Sequence, residues 1–343
     1  MADGTVWTEL AATIAAAHSV VAVGSSTHRD IGGAVVGATE VSAPSGIVEY
    51  EPADMTVKVN AGTTSFELQT AIARHGQECP LDPRDSNATI GGIVACGLSG
   101  TRRLGVGPLR DHLLEVTFIT ADGRVVRGGG PTVKNVTGYD VPRLFAGSLG
   151  TLGVLVQVIL RARPLPPASA WFTTTRDPLE VCAVLHRAST IAWDDTTTSV
   201  LLQGHAADID QQADQAGLVP GAPITLPTGV HRARISIEPA RIGALATALR
   251  ATDTRWLAEV GVGTVHVAAD DPAGLAHARD VAHAHDGWLL REAGAPDLEP
   301  FGVPFGASSV QRRLRTALDP TGKLSPGRVA ETAPAVSSAG VAP

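Results

Sequence analysis

"GGPTVKNVTGYDVPRLFAGSLGTLGVL" occupies residues 129–155. Glycine recurs through it, yet Val, Leu and Phe surround the glycines, and a Lys, an Asn, a Tyr and an Asp stand among them. A disordered linker is not this apolar, and a plain core strand does not carry this much glycine. The stretch raises the question of what its backbone approaches so closely. Short glycine loops beside strand-like runs repeat the question at Gly24–Thr27, Thr89–Gly92, Gly105–Gly107 and Gly147–Gly153. Singly, each reads as a tight turn. Together and in this order they read as loops around one extended ligand, because backbone N–H groups hold a phosphate best where no Cβ keeps the chain away. The nicotinamide fingerprint G-x-G-x-x-G is absent, and "PTGKLS" at 320–325 lacks the first glycine of a P-loop.

Composition limits the rest. The chain has 343 residues, 44% hydrophobic and 18% charged, enough for about two domains with sizeable cores. The formal net charge of −7 argues against a nucleic-acid partner and gives no basic face for anionic lipid. The Ala-rich opening lacks a basic-then-apolar leader, and no apolar run reaches the ~18 residues of a membrane span. These features predict a cytoplasmic protein without a membrane span. Cys79, Cys96 and Cys182 form no C-x-x-C, so they neither frame disulfides nor hold an iron–sulfur cluster.

Periodicity predicts a helix over 6–17, a short strand over 20–23, and two strands within 47–62 joined across Pro52–Asp54. It also predicts a helix from a Thr64 or Ser65 cap to Gly76, and a hairpin over 112–129 around Ala121–Asp122–Gly123. A long apolar strand over 150–166 follows. Residues 170–292 alternate strands and helices, as a separate α+β unit does. A helix and turn at 308–328 precede a Pro/Ala/Ser-rich tail read as disordered.

Five segments occur in order: "AGTTSFELQTAIARHGQECPLDP", "ATIGGIVACGLSGTRRLGVGPLRD", "TFITADGRVVRGGG", "VKNVTGYDVPRLFAGSLGTLGVL" and "LDPTGKLSPGR". This array resembles the PCMH-type FAD-binding domain of the vanillyl-alcohol oxidase family. More narrowly, it is similar to the FAD-binding subunits of bacterial glycolate dehydrogenases (glycolate oxidases). The resemblance covers about residues 20–166 and 308–328; over 170–292 it rests on element order alone.

It implies an α+β fold: a two-subdomain FAD-binding domain at 1–166, an α+β cap for substrate or partner at 167–295, a segment at 296–330 returning to the FAD domain, and a tail at 331–343. It implies FAD contacts from Gly24, Ser25, Ser26 and Thr27, from Pro80, Leu81 and Asp82, and from Thr89, Ile90, Gly91, Gly92 and Ala95. It adds Asp111, then Lys134, Asn135, Gly138, Tyr139 and Asp140, then Gly150, Thr151, Leu152, Gly153 and Val154, and finally Arg328. The implied activity is oxidation of a 2-hydroxy acid such as glycolate. Electrons would pass to a second FAD subunit and an iron–sulfur subunit, with attachment to the inner membrane through those partners. The alternative is a non-catalytic or electron-relay subunit that serves assembly.

The chain departs from the family pattern at "VGSST", which has less glycine than usual, and at Ser325, where Asn is common. It also departs in the cap, where "GVGTVHVAA" offers His266 alone instead of a histidine-rich metal motif, so no metal site is expected. A single strand histidine reads as structural. His28 falls outside the covalent-linking position, so FAD is expected to be held non-covalently. His277, His283 and His285 share a helix without i,i+3 or i,i+4 spacing and read as a solvated face. Tyr139 reads as a core aromatic or a flavin contact, and Arg102 and Arg103 as a solvated turn or an acid-binding pair. No residue is assigned as the catalytic base.

Overall fold

The computed structural model describes residues 3–131, 139–302 and 308–329. Strands Ile47–Glu51, Thr56–Asn60, Val154–Arg161, Leu113–Ile119 and Val125–Gly129 form a five-stranded antiparallel sheet in that spatial order. The central strand Val154–Arg161 is buried along seven of its eight residues, because apolar clusters cover both of its faces. One cluster packs Leu155, Val158 and Leu160 against helices Ser65–Ala73 and Ile90–Cys96; there Phe118 and Phe145 approach to 4.2 Å between ring centroids. The other packs Val154 and Val156 beneath helix Asp3–Ala16. Burying each of these Phe rings contributes about 1.5–3 kcal/mol.

The local signals explain the element ends. Helix Ser65–Ala73 begins at Thr64 through a reciprocal capping box with Glu67. The strand expected over 150–166 begins only at Val154, since Leu149 and Gly150 lie at φ +53° and +74° and the chain turns through them. Strand Val20–Ala22 pairs in parallel with Thr39–Val41, a pairing the sequence did not suggest. On its other side runs the C-terminal segment: Val20 N–H donates to the Lys323 carbonyl and Ser325 N–H to the Val20 carbonyl. Lys323 Nζ donates to the carbonyls of Ile14, Ala15 and Ala17, satisfying groups that the helix end leaves open. The "GKLS" stretch is thus a structural clamp. Ser325 sits at φ +46°, a backbone region that Asn tolerates well, which accounts for the usual residue there.

Residues 168–293 build an eight-stranded antiparallel sheet. Its first half runs strand Ala168–Thr174, helix Pro178–Val184, strands Thr190–Trp193 and Thr198–Gly204, helix Ala206–Ala216, strand Val219–Pro220. Its second half repeats that order: strand His231–Ser236, helix Ile242–Leu249, strands Arg255–Glu259 and Thr264–Ala269, helix Pro272–Ala284, strand Trp288–Ala293. Each half is a βαββαβ unit with its own apolar cluster. They join edge to edge where Thr190–Trp193 meets Arg255–Glu259, through the pairs Ala192–Glu259 and Trp193–Ala258.

Arg102 ties loops beside the five-stranded sheet together. It grips Asp82 through Nε and Nη2 at 2.7 and 2.6 Å and Glu78 through Nη1, while Arg163 also reaches Glu78 at 2.7 Å. Arg102 is therefore neither a solvated turn residue nor free to bind an acid. Its side chain is 16% exposed and that of Glu78 only 9%, so Arg102→Ala leaves two carboxylates poorly compensated. The expected loss is about 3 kcal/mol, at the low end for a broken buried pair because Arg163 remains. Chemical denaturation measures it; a loss near zero would show the network to be dispensable.

Candidate functional site

The loop Gly24–His28 follows strand Val20–Ala22 and passes over helix Ile90–Cys96. Its closeness to the helix requires glycine: a Cβ at Gly24 would lie 2.2 Å from Thr89 Oγ1. Ser26 adopts φ +60°. The amide N–H groups of Gly24, Ser25, Ser26, Thr27 and His28 donate to no group among the described residues. A run of such amides is a ready anion cradle.

Facing it across a cleft are Thr89, Gly91, Gly92 and Ala95, then Leu149, Gly150 and Gly153, and Arg328. Arg328 is anchored through its Nη atoms to the carbonyls of Leu149 and Arg29, and its buried Nε has no partner among the described residues. Burial pushes the Arg328 guanidinium down from its ordinary value. Unpaired amides at one wall and a desolvated guanidinium at another fit a bound pyrophosphate-bearing cofactor.

Not every expected contact stands at this cleft. Gly24, Ser25, Ser26, Thr27, Thr89, Gly91, Gly92, Ala95, Gly150, Gly153 and Arg328 line it. Leu81, Ile90, Thr151, Leu152 and Val154 are buried in the surrounding protein, as is Pro80. Asp82 is committed to Arg102. Asp111 and Asp140 both pair with Arg143, and Asp140 also caps helix Val141–Phe145. Tyr139 is 90% exposed, so it is not a core aromatic. Lys134, Asn135 and Gly138 lie outside the described residues.

Several glycines serve packing. Thr89–Gly92 is not a loop: Gly91 and Gly92 lie inside helix Ile90–Cys96, where a Cβ at Gly91 would strike Ala61. Gly105 lies in a short helix rather than a loop and touches Ser189, just before strand Thr190–Trp193. In the 129–155 stretch, Gly129 and Gly153 press on protein, while Gly147 and Gly150 supply turns at φ +87° and +74°. The backbone there approaches both its own protein and a cleft.

A second cavity, of about 510 Å³, lies beneath the cap sheet. It shares Thr27, His28 and Cys96 with the first cleft. Its charged walls come from Asp82, Arg84 and Asp85 below and from Arg232, Arg234, His266 and Glu292 on the eight-stranded sheet. The sheet register gathers the cap residues: Arg234 lies opposite His266, Arg232 is two residues along the same strand, and Glu292 is diagonal to Arg234. Arg234 Nε donates to Glu292 Oε1 at 3.1 Å and Nη1 to the Ser99 carbonyl. His266 is buried, its Nε2 2.5 Å from Glu259 Oε1 and its Nδ1 without a partner among the described residues. It belongs to this wall, a placement not expected of a lone strand histidine.

Burial raises the Glu292 carboxyl, yet Arg234, His266, Arg84 and His28 together bring it below its ordinary value. His28 is lowered, chiefly by burial. Its Nδ1 lies 2.8 Å from Thr27 Oγ1. His277 and His283 are exposed and His285 half-buried on their helix. The sequence signal for the cavity was the alternation of arginines in "HRARIS", whose intervening Ala233 and Ile235 are core.

Residues 5–129 match the family described as "FAD binding domain". These residues carry an FAD-binding domain. Its cofactor is FAD, and the nucleotide cleft formed by this domain and its C-terminal return is where the residues fit it. Glycolate oxidase subunit GlcE of Escherichia coli is 40% identical over 153 residues, which are 44% of each chain. A D-lactate dehydrogenase of Archaeoglobus fulgidus is 39% identical over 104 residues, 30% of this chain and 24% of that one. The chain thus spans less than half the length of these curated relatives. A solved structure of alkyldihydroxyacetonephosphate synthase shares the fold of the FAD-binding domain and cap, with a TM-score of 0.66 at 13% identity, covering 93% of this chain and 74% of that one. Among the described residues no helix is long and apolar enough to cross a membrane.

Proposed function

We propose that the chain is an FAD-dependent oxidoreductase that converts a 2-hydroxy acid to the 2-oxo acid. The observation that carries this reading is the meeting of the FAD cleft with a cavity walled by arginines, at His28. Bound FAD would supply a two-electron acceptor. The loop Gly24–His28 and Arg328 would hold it; the arginines of the cavity would bind and orient the substrate carboxylate.

For the base that removes the hydroxyl proton, this reading takes His28 from among the residues at the junction. Thr27, His28 and Cys96 line both cavities. The Cys96 thiol is pushed up to about 12 by burial and a threonine hydroxyl does not accept protons near neutrality. His28, kept neutral by burial, remains. The charged cavity also favours a catalytic chain over a subunit that serves assembly alone, which would have no use for it. Glycolate is the smallest substrate of this class. Transfer of electrons to a second FAD subunit and an iron–sulfur subunit, with membrane attachment through them, is part of the proposal. It is supported by the word "subunit" in the name of the E. coli relative.

The test is anaerobic mixing of the FAD-loaded protein, alone and co-expressed with its genomic neighbours, with a panel of 2-hydroxy acids. Bleaching of the oxidised flavin band is expected. Absence of bleaching by every acid in both preparations would overturn the reading.

A further inference from the structure

Two arginines of the cap cavity take no part in an ion pair among the described residues. Arg234 is spent on Glu292 and on the Ser99 carbonyl. Arg84 and Arg232 have no acidic partner within 4.0 Å among the described residues. Each is instead pinned by one nitrogen to a backbone carbonyl: Arg84 Nη1 to Pro227 at 2.9 Å, Arg232 Nη1 to Gly229 at 3.2 Å. Those bonds fix the forks and leave the other nitrogens to a ligand. Arg232 Nε is buried without a partner among the described residues.

Neither of the other acids of the cavity forms an ion pair with Arg84 or Arg232. Asp82 is held by Arg102, and Asp85 bonds the Asn87 amide in its own turn. Burial lowers the Arg84 guanidinium, and Arg232 and Arg234 oppose its charge further, with Glu292 the one acid that favours it.

We propose that the substrate is a 2-hydroxy acid bearing a second anionic group, with Arg84 and Arg232 each receiving one of its two anions. The second group is a carboxylate or a phosphate; both present oxygens to a guanidinium fork. Arg84 comes from the FAD side and Arg232 from the cap, and the Arg84–Pro227 bond already links the two. A dianion would bridge the same junction and hold the cap over the FAD cleft. This inference rests on the oxidoreductase reading and specifies its substrate class.

The experiment titrates FAD-loaded protein with monoanions (glycolate, D-lactate), dicarboxylates (D- and L-malate) and a phosphorylated acid (glycerate 3-phosphate), following the flavin spectrum and then anaerobic reduction. At least one dianion is expected to bind about 10- to 100-fold tighter than the monoanions, the worth of one added charged contact. The carboxylate and phosphate arms separate the two sources. Arg84→Ala and Arg232→Ala, each checked for retained FAD and a cooperative unfolding transition, should each bring that ratio close to one, because a single guanidinium holds only one anion. Arg232→Lys should restore part of it. Monoanions binding as tightly as every dianion would overturn the inference and leave the oxidoreductase reading standing, as would a ratio that persists in both alanine variants. No response to any acid would overturn both.

Discussion

Replacing His28 with Asn is expected to slow flavin reduction by a 2-hydroxy acid about 10²- to 10⁴-fold, the usual worth of a positioned proton acceptor. FAD should stay bound, since the loop's share of the cradle is its backbone amides. Stopped-flow reduction measures the rate, and flavin content on purification checks the second point. The pH dependence supplies a separate readout. Burial lowers the imidazole; Arg234 and Arg232 push the same way, while Glu292 and Asp85 oppose them without prevailing.

The neutral ring accepts the proton. Activity should therefore be full above the ordinary value of 6.5 and be lost as the pH falls through the lower folded-state value. Folded stability shifts in the same direction, because the unfolded chain binds the proton more readily. Unfolding curves taken at each pH keep the two effects apart. A wild-type profile flat across the acid range, or an identical profile in His28→Asn, would remove His28 from this role.

Gly92→Val should lose FAD without losing the fold. A Cβ there meets one neighbour within 4 Å, Thr89 Oγ1 at 3.1 Å, so the added methyl groups project toward the cleft that Gly92 lines. The helical backbone accepts Val at least as well as Gly. Cofactor affinity should fall about 10- to 100-fold, the cost of forcing 1–3 kcal/mol of overlap. Gly150→Val should lose FAD and stability together, because φ +74° is a backbone region that a β-branched residue avoids. Flavin fluorescence after desalting and thermal unfolding of the apo forms measure both. Full occupancy in Gly92→Val would make that glycine a packing residue only.

The FAD-binding half was legible because its signals are local. Thr64 with Glu67 three residues on, the Ala121–Asp122–Gly123 turn, and the glycine loops each declare a structure within a few residues. Where reading failed there, long-range contact was the cause. Gly91 and Gly105 look like loop glycines but are needed because Ala61 and Ser189 press on them from distant segments. The cap cavity was illegible for the same reason. Arg84, Arg232, His266 and Glu292 lie on four separate segments, and only the sheet register, Arg234 opposite His266, brings the cap members to one face. Alternating arginines on a strand usually mean solvent; here the face they occupy looks onto the FAD domain.

The cap's doubled βαββαβ plan separates two kinds of evolutionary constraint. Every cap-sheet residue that walls the charged cavity comes from the second unit, His231–Ala293, and none from the first, Ala168–Pro220. The two touch through a seam of two paired residues on each side and the edge-on contact of Trp193 with Trp256. Among the described residues the first unit reaches the cavity only indirectly, through the bond of Thr190 Oγ1 to the carbonyl of Thr101, which lines it. The outer edge of the first unit, Val219–Pro220, stands at the far end of the sheet from this wall, so substitutions there can alter the molecular surface without touching a cavity side chain.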